Sequence, residues 1–524
     1  MSLIGPVGRK RPRARIALAM LYLVICAGAI TTLYPFGLMI STGLKGPTDQ
    51  SDSHLIPKYL VDNDELQSKY DQDKYAGDAF LVASSKVGSN ASSSDIEKYR
   101  SFLMQLPPAY WEAGFKNAPS QVTGKLQNRY HVWLRQRYRS VDALNRVYVE
   151  ENVGFQTVGV PAELFDRKEW KPTPGPKWTE WLEFKATLPA DYRIPVRTQW
   201  LWQKFLAAKF KNQFNALPSG YGGKASRFEE LDVPLPAIVH MDPTLLPLYL
   251  GEFQNWEPAR FLASSVEGQW MLFNRSTDPI SMPVAAFDKL HVQTNSGAIR
   301  REFAGRNYGY VLDYILLNGR AVWNTLLFCF LAIVTQLTVN PLAAYALSRY
   351  PVKQSGKILI FLLATMAFPA EVAMIPSFLL LKDLGLLNTF AALVLPGAAS
   401  GYMIFLLKGF FDSLPQELFE AGSLDGAKET TMMTRIALPM CRPVFGYLAL
   451  LAFMGAYGSF IYAFLVAQDQ RVWTLMVWIY QLQASGAPSA VVMAALTLAA
   501  IPTLLVFLCA QGVIMRGIVL PGER

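Results

Sequence analysis

The chain has 524 residues, 52% hydrophobic and only 17% charged, with a net charge of +9 and a mean hydropathy of +0.19. Soluble globular proteins carry about 25% charged residues, so the deficit places part of the chain in lipid. The apolar content and 13% aromatics exclude a wholly disordered chain, and four cysteines in this length exclude a disulfide scaffold. A basic balance has two readings, nucleic-acid binding or the basic cytoplasmic loops of a membrane protein, and the position of the charge separates them.

In chain order, Arg9, Lys10, Arg11, Arg13 and Arg15 precede an uncharged run from Ile16 to Ile40. That run exceeds the roughly 20 residues needed to cross a bilayer and the roughly 7–15 of a signal-peptide core. Residues 46–305 are ordinary in composition and hold 30 basic and 30 acidic residues. All of the net charge therefore lies outside this insert, in the apolar parts and their connections, which removes the support for nucleic acid. The insert is long enough for one or two soluble domains, mainly helical, with Ser84–Ser94 expected as a flexible loop. Within it, 133–161 aligns with 205–234 through one single-residue gap, pairing Tyr148 with Tyr221, Phe155 with Phe228 and Pro161 with Pro234. This reads as a helix, a turn and an extended exit used twice. The four histidines, His54, His131, His240 and His291, have no metal-ligand spacing, so no metal site is expected. Trp170, Trp178, Trp181, Trp200 and Trp202 suit core packing, with sugar stacking as the sharper alternative.

Five further apolar runs follow: Ala321–Leu347, Ile358–Leu380, Phe390–Phe411, Val444–Val466 and Ala490–Met515. Six spans put both termini on one side, together with Arg349, Lys353, Lys357 and Arg516, and the positive-inside rule makes that side cytoplasmic. The expected organisation is a tail and first span over 1–45, an extracytoplasmic insert over 46–305, and a five-helix core over 306–524. Within the spans, Glu371 is an intramembrane acid and a candidate for a translocation pathway, as are Asn324, Asn340 and Tyr345; Gln336 belongs with them. Helix-to-helix hydrogen bonding is the competing reading for the neutral residues.

The polar stretch 412–443 is patterned rather than a plain connector. Pro415 suits a helix start, and Leu418, Ala421, Leu424 and Ala427 recur every three residues as an apolar face. Asp425-Gly426 suits a left-handed helix end, and Met432, Met433, Ile436 and Leu438 suit a second helix before Pro439 and Pro443. The stretch resembles the coupling loop of ABC importer permeases. Glu420-Ala421-Gly422, Asp425-Gly426-Ala427, Ile436, Leu438-Pro439 and Pro443 stand at that family's spacing, with Gly422 in place of an alanine and Met433 in place of a phenylalanine. Asn324-Thr325-Leu326, Ala343–Arg349 and Ile375–Phe378 resemble the carbohydrate-importer subgroup, as does Tyr34-Pro35-Phe36 through Lys45.

The resemblance implies an all-α polytopic membrane protein with six transmembrane helices in the bacterial inner membrane. It further implies a permease subunit paired with a second permease, a dimer of ATPase subunits and an extracytoplasmic solute-binding protein, and passing a small-molecule carbohydrate. No GxxxxGK[ST] phosphate loop is present, so no cofactor is expected on this chain and ATP would be bound by the partner ATPases. No catalytic residue is expected. Glu420 and Asp425 are expected to cap helices and touch the partner. The alternative is a membrane-anchored glycan-active or glycan-binding protein, because 133–161 also resembles a helical stretch of beta-galactosidase-like hydrolases. That stretch brings no identifiable carboxylate pair.

Overall fold

The computed structural model describes residues 12–515 except 50–51, 87, 89, 117–123, 153, 166–169, 218–224, 232–258, 276–280, 314–319, 351–353 and 366–368. Arg9–Arg11, Tyr221, Pro234, His240, Lys353 and Arg516 thus lie outside the described residues. The chain divides into two compact units, one of 1–43 with 308–524, the other of 44–307.

In the first unit, α1 (Pro12–Gly43) is the apolar N-terminal helix. The second unit carries α2 (Asn63–Lys74), α3 (Ala79–Ser84), α4 (Ser93–Gln105), β1 (Trp111–Ala113), α5 (Lys125–Arg137), α6 (Val141–Tyr148), α7 (Pro176–Ala186), β2 (Arg193–Pro195), α8 (Thr198–Lys209), α9 (Ala259–Asn274) and α10 (Val284–Leu312), the last running past the unit's end. Local chemistry sets these boundaries. The serine-rich stretch ends in a capping box, with Asp95 N donating to Ser92 Oγ at 3.2 Å and Ser92 N to Asp95 Oδ2 at 3.3 Å, which starts α4. The ends of the unit meet, for Asn307 Nδ2 donates to Lys45 O at 2.7 Å and Tyr59 OH to Leu44 O at 2.8 Å.

Among the described residues the two aligned stretches share parts of their structure, and the likeness begins further upstream than the alignment; where the first has α6, the second has a 3₁₀ turn at Phe214–Ala216. Leu106-Pro107-Pro108-Ala109-Tyr110 and Leu188-Pro189-Ala190-Asp191-Tyr192 each form a short 3₁₀ turn that leads into a strand. The strands pair antiparallel as Trp111 with Pro195, Glu112 with Ile194 and Ala113 with Arg193, so equivalent residues exchange about a local two-fold between Glu112 and Ile194. The hydrogen bonds repeat as well. Gly114 N donates to Tyr192 O at 2.7 Å, and Val196 N to Tyr110 O at 3.2 Å. Trp111 Nε1 donates to Leu106 O at 3.2 Å, and Arg193 Nε to Leu188 O at 3.0 Å. α5 and α8 end at aligned positions, and 3₁₀ turns begin at the paired Phe155 and Phe228. His131 Nε2 then donates to Val158 O at 2.9 Å where Gln203 Nε2 donates to Leu231 O at 2.8 Å.

The tryptophans are core. Trp181, Trp200 and Trp202 are fully buried, while Trp170 and Trp178 pack edge-on at 5.9 Å. A buried ion cluster ties the first copy to α7. Glu163 accepts from Lys116 at 2.8 Å, Lys185 at 2.6 Å, Trp181 Nε1 at 3.2 Å and Ala113 N at 3.2 Å. Lys185 also donates to Pro108 O and Trp111 O. In the hydrolase-like stretch, Glu150 is engaged by Lys177 and Asn152.

The first unit resumes with α11 (Ala321–Arg349), α12 (Ser355–Thr365), α13 (Ala370–Asp383), α14 (Phe390–Val394), α15 (Gly401–Asp412), α16 (Gln416–Leu424), α17 (Glu429–Thr431), α18 (Leu438–Met440), α19 (Arg442–Tyr457), α20 (Ile461–Val466), α21 (Leu475–Ala484) and α22 (Ser489–Met515). The fold of this unit is all-α and polytopic. Among the described residues three helices are long and apolar enough to cross a membrane, over Leu18–Gly43, Ala321–Arg349 and Ser489–Gly512; two bent pairs add up to two more spans. The runs read as single spans are interrupted where the backbone loses a donor. Pro369 precedes α13, and a 3₁₀ turn through Pro396 separates α14 from α15, which meet at 51°. α11 packs on α15 and α19, and α22 packs on α1 and α19. Gly401 lies where an added Cβ would come within 2.9 Å of the Leu362 carbonyl carbon, so glycine lets α12 and α15 approach.

Candidate functional site

The loop 412–443 folds as two helical pieces around a glycine turn. α16 follows Pro415, and its first turn carries Glu417, where the positive end of the helix dipole favours an acid. Phe419 turns inward and is buried, whereas Leu418, Ala421 and Leu424 face outward, Leu424 being 89% exposed. The apolar ridge legible at three-residue spacing is therefore left uncovered by this chain. Gly426 ends the helix at φ +71°, and Ala427 N donates to Gly422 O at 2.9 Å and Gly426 N to Ser423 O at 3.1 Å. Glu420 and Asp425 are exposed and neither side chain caps a helix: the cap positions of α16 use no side-chain bond, and Glu420 accepts from Gln416 Nε2 at 2.9 Å.

The second piece is not the plain helix its apolar pattern suggests. Met432–Ala437 is wound as a π turn between α17 and α18. Pro439 has no N–H and its ring crowds the carbonyl four residues back, that of Arg435, so the wider turn relieves it. Ile436 and Leu438 are half-buried against Met432 and Ala437, and Pro443 lies in the first turn of α19, which leaves the loop at a bend of 84°.

The four pathway candidates are placed apart. Asn324 is buried, its Nδ2 donating to Arg471 O at 2.9 Å and Trp473 O at 3.0 Å. Asn340 is buried and holds the break between α14 and α15, accepting from Ser400 N at 2.7 Å and donating to Ala398 O at 3.3 Å. Tyr345 belongs to the loop, donating to Glu429 Oε2 at 3.0 Å. Glu371 is exposed in the first turn of α13. None of the four lines the cavity of about 330 Å³ in this unit, whose polar lining is Gln336, Ser377, Ser459 and Tyr462 among apolar neighbours such as Phe328 and Met374. Sequence reasoning held Ser377 only as part of the Ile375–Phe378 motif and missed Ser459 and Tyr462, which no local pattern marks; a tertiary meeting of α11, α13 and the α19–α20 region brings the three together. It gave Arg349 as a topology charge and the end of the Ala343–Arg349 motif but not the contacts it makes. Its guanidinium carbon lies 3.5 Å from the Phe419 ring centroid while Nη2 donates to Phe411 O at 2.6 Å.

A family model described as binding-protein-dependent transport system inner membrane component matches residues 340–519. Protein LplC of Bacillus subtilis (strain 168) is 37% identical over 138 residues, 26% of this chain and 46% of that protein, so the chain aligns with less than half of that relative's length. The sn-glycerol-3-phosphate transport system permease protein UgpE of Yersinia pestis bv. Antiqua (strain Antiqua) is 33% identical over 206 residues, 38% of this chain and 73% of that protein. The lactose transport system permease protein LacG of Rhizobium radiobacter is 30% identical over 196 residues, 37% of this chain and 72% of that protein.

Proposed function

The chain belongs to the family of binding-protein-dependent transport system inner membrane components, the permeases of ABC importers, and on that premise we propose that it is a membrane-spanning subunit importing a sugar or oligosaccharide. The name of one relative, a lactose transport system permease protein, favours that substrate class, and that of another, for sn-glycerol-3-phosphate, extends it to small polyol derivatives. It is a transporter subunit and not an enzyme. In this reading an ATPase dimer supplies ATP hydrolysis, a second permease completes the pathway, and an extracytoplasmic binding protein delivers the solute. Both termini and the loop 412–443 face the cytoplasm, and residues 46–305 lie outside.

The observation that carries the reading is the uncovered apolar ridge of Leu418, Ala421 and Leu424, set on a nine-residue helix by Phe419 and ended by Gly426. Such a ridge suits a cleft on a partner, with Glu420 and Asp425 at its rim. Movement of the docked helix biases the spans between outward- and inward-facing packings. The solute crosses by the cavity lined by Gln336, Ser377, Ser459 and Tyr462, whose amide and hydroxyl groups suit the hydroxyls of a sugar.

The test is uptake of a panel of radiolabelled sugars and sn-glycerol-3-phosphate by cells carrying the whole importer. Gly426→Pro forces φ to about −65° where +71° is needed, and Glu420→Lys reverses a rim charge. Both should abolish uptake while the chain stays in the membrane, and undiminished uptake in both would sink the docking claim.

A further inference from the structure

The last turn of α11 is bonded to each part of the polar loop. Tyr345, Ser348 and Arg349 stand at i, i+3 and i+4, so one face of the helix presents all three. Ser348 Oγ donates to Asp412 Oδ1 at 2.6 Å, and Arg349 Nη2 donates to Phe411 O at 2.6 Å, fixing the start of the loop. The Arg349 guanidinium covers the ring of Phe419, the inward anchor of α16, and the Tyr345 ring meets Phe411 edge-on at 5.8 Å. Tyr345 OH reaches Glu429, beyond the glycine turn, at 3.0 Å. A planar guanidinium can stack and donate at once, which an ammonium group does less well.

Just inside this turn, α11 contains Pro341, which removes a backbone bond to Leu337 and gives the helix its flexible point. The residue before it, Asn340, holds Ala398 and Ser400, directly after Pro396 and Gly397 of the cavity wall. Beyond the flexible point, Gln336, Ala332 and Phe328 of the same helix line the cavity. At the far end Asn324 and Thr325 pin α11 to Arg471, Trp473 and Leu475.

We propose that the last turn of α11 is the clamp through which movement of the polar loop reaches the cavity, with Tyr345, Ser348 and Arg349 as positioning residues and Asn340-Pro341 as the pivot. A tilt of the clamped turn is delivered at the pivot to the α14–α15 break and so to the cavity wall. The proposal rests on the importer reading, and its test separates the two. In the reconstituted importer, Cys26, Cys329, Cys441 and Cys509 are replaced and Ser459→Cys supplies one cavity thiol. Its labelling by a membrane-impermeant maleimide is compared without nucleotide and with ATP plus vanadate. With the clamp intact, the labelling rate changes with nucleotide. Arg349→Gln shrinks that change at least about fivefold, the scale of a coupling free energy, while the ATPase subunits still co-purify. Tyr345→Phe and Glu429→Gln, singly and together, produce one common loss because they break one bond. An undiminished nucleotide response in all of these variants overturns the clamp. Loss of the ATPase subunits also overturns it, since the residues would then serve docking. A protein with the intact clamp whose cavity thiol shows no nucleotide response overturns the importer reading instead.

Discussion

Replacing Glu163 by glutamine tests whether the second unit depends on its buried ion cluster. Burial by itself raises a carboxyl, but the Lys116 and Lys185 ammonium groups override it and hold Glu163 at about 2, below its ordinary 4.5. The Glu163→Gln side chain would keep the volume and remove the charge. Lys116 would retain Glu112 at 2.9 Å, whereas Lys185, wholly buried, would keep neutral acceptors only, the carbonyls of Pro108 and Trp111 and the new amide oxygen, and no counter-charge. Removing one partner of a buried pair costs about 3–5 kcal/mol, and these remaining bonds place the loss near the lower end, about 3 kcal/mol. For a domain of this size that corresponds to a melting point lower by about 6 °C or more. The full chain in detergent, followed by tryptophan fluorescence, is a direct assay, because Trp181 donates to Glu163 and Trp111 lies under Lys185 at 4.3 Å. The pH dependence has a fixed sign. A depressed carboxyl contributes stability above its unfolded value, and that stability is lost as pH falls from about 4.5 through about 2. A Glu163→Gln chain melting within about 1 °C of the native one at neutral pH (a difference under about 0.5 kcal/mol) would refute the reasoning.

Asp71 has the opposite sign. Burial, helped by the Asp288 charge, raises it from 3.8 to about 6, so folding loses stability as pH rises through that window. Asp71→Asn should therefore raise the melting temperature at pH 7.5 and leave it unchanged at pH 3, in the same fluorescence assay. At Gly422, an added Cβ would meet Ile436 at 3.5 Å and Met432 at 3.6 Å, ordinary contacts. Gly422→Ala should thus strengthen α16 by about 1 kcal/mol and preserve uptake; lost uptake with intact membrane insertion would mean the partner needs the bare backbone there.

The polar loop 412–443 was legible because its features are local. Three-residue spacing sets the exposed ridge and a glycine in the left-handed region sets the turn, and both can be read within a dozen residues. The π turn was not, because the strain of Pro439 is answered by backbone rewinding and not by a change of residue type. Polar residues in the spans show the limit of composition. Asn324 and Asn340 stand out in apolar runs, yet they serve loops and a helix break, and Tyr345 serves the polar loop, while the cavity takes Ser377, quoted only within a motif, and Ser459, which is inconspicuous in sequence. The duplication was half visible. Paired aromatics revealed its downstream part, but Leu-Pro-Pro-Ala-Tyr and Leu-Pro-Ala-Asp-Tyr, 82 positions apart, escaped because the spacing between the copies changes after them.

The bond between Asn307 and Lys45 has a wider consequence. Leaving and returning within one hydrogen bond, the 44–307 segment is a cassette threaded through a single point of the permease chain. A gap that narrow is spanned by two or three residues, at about 3.3–3.6 Å each. Removing the cassette and joining its flanks at that point would leave the register of the membrane helices undisturbed.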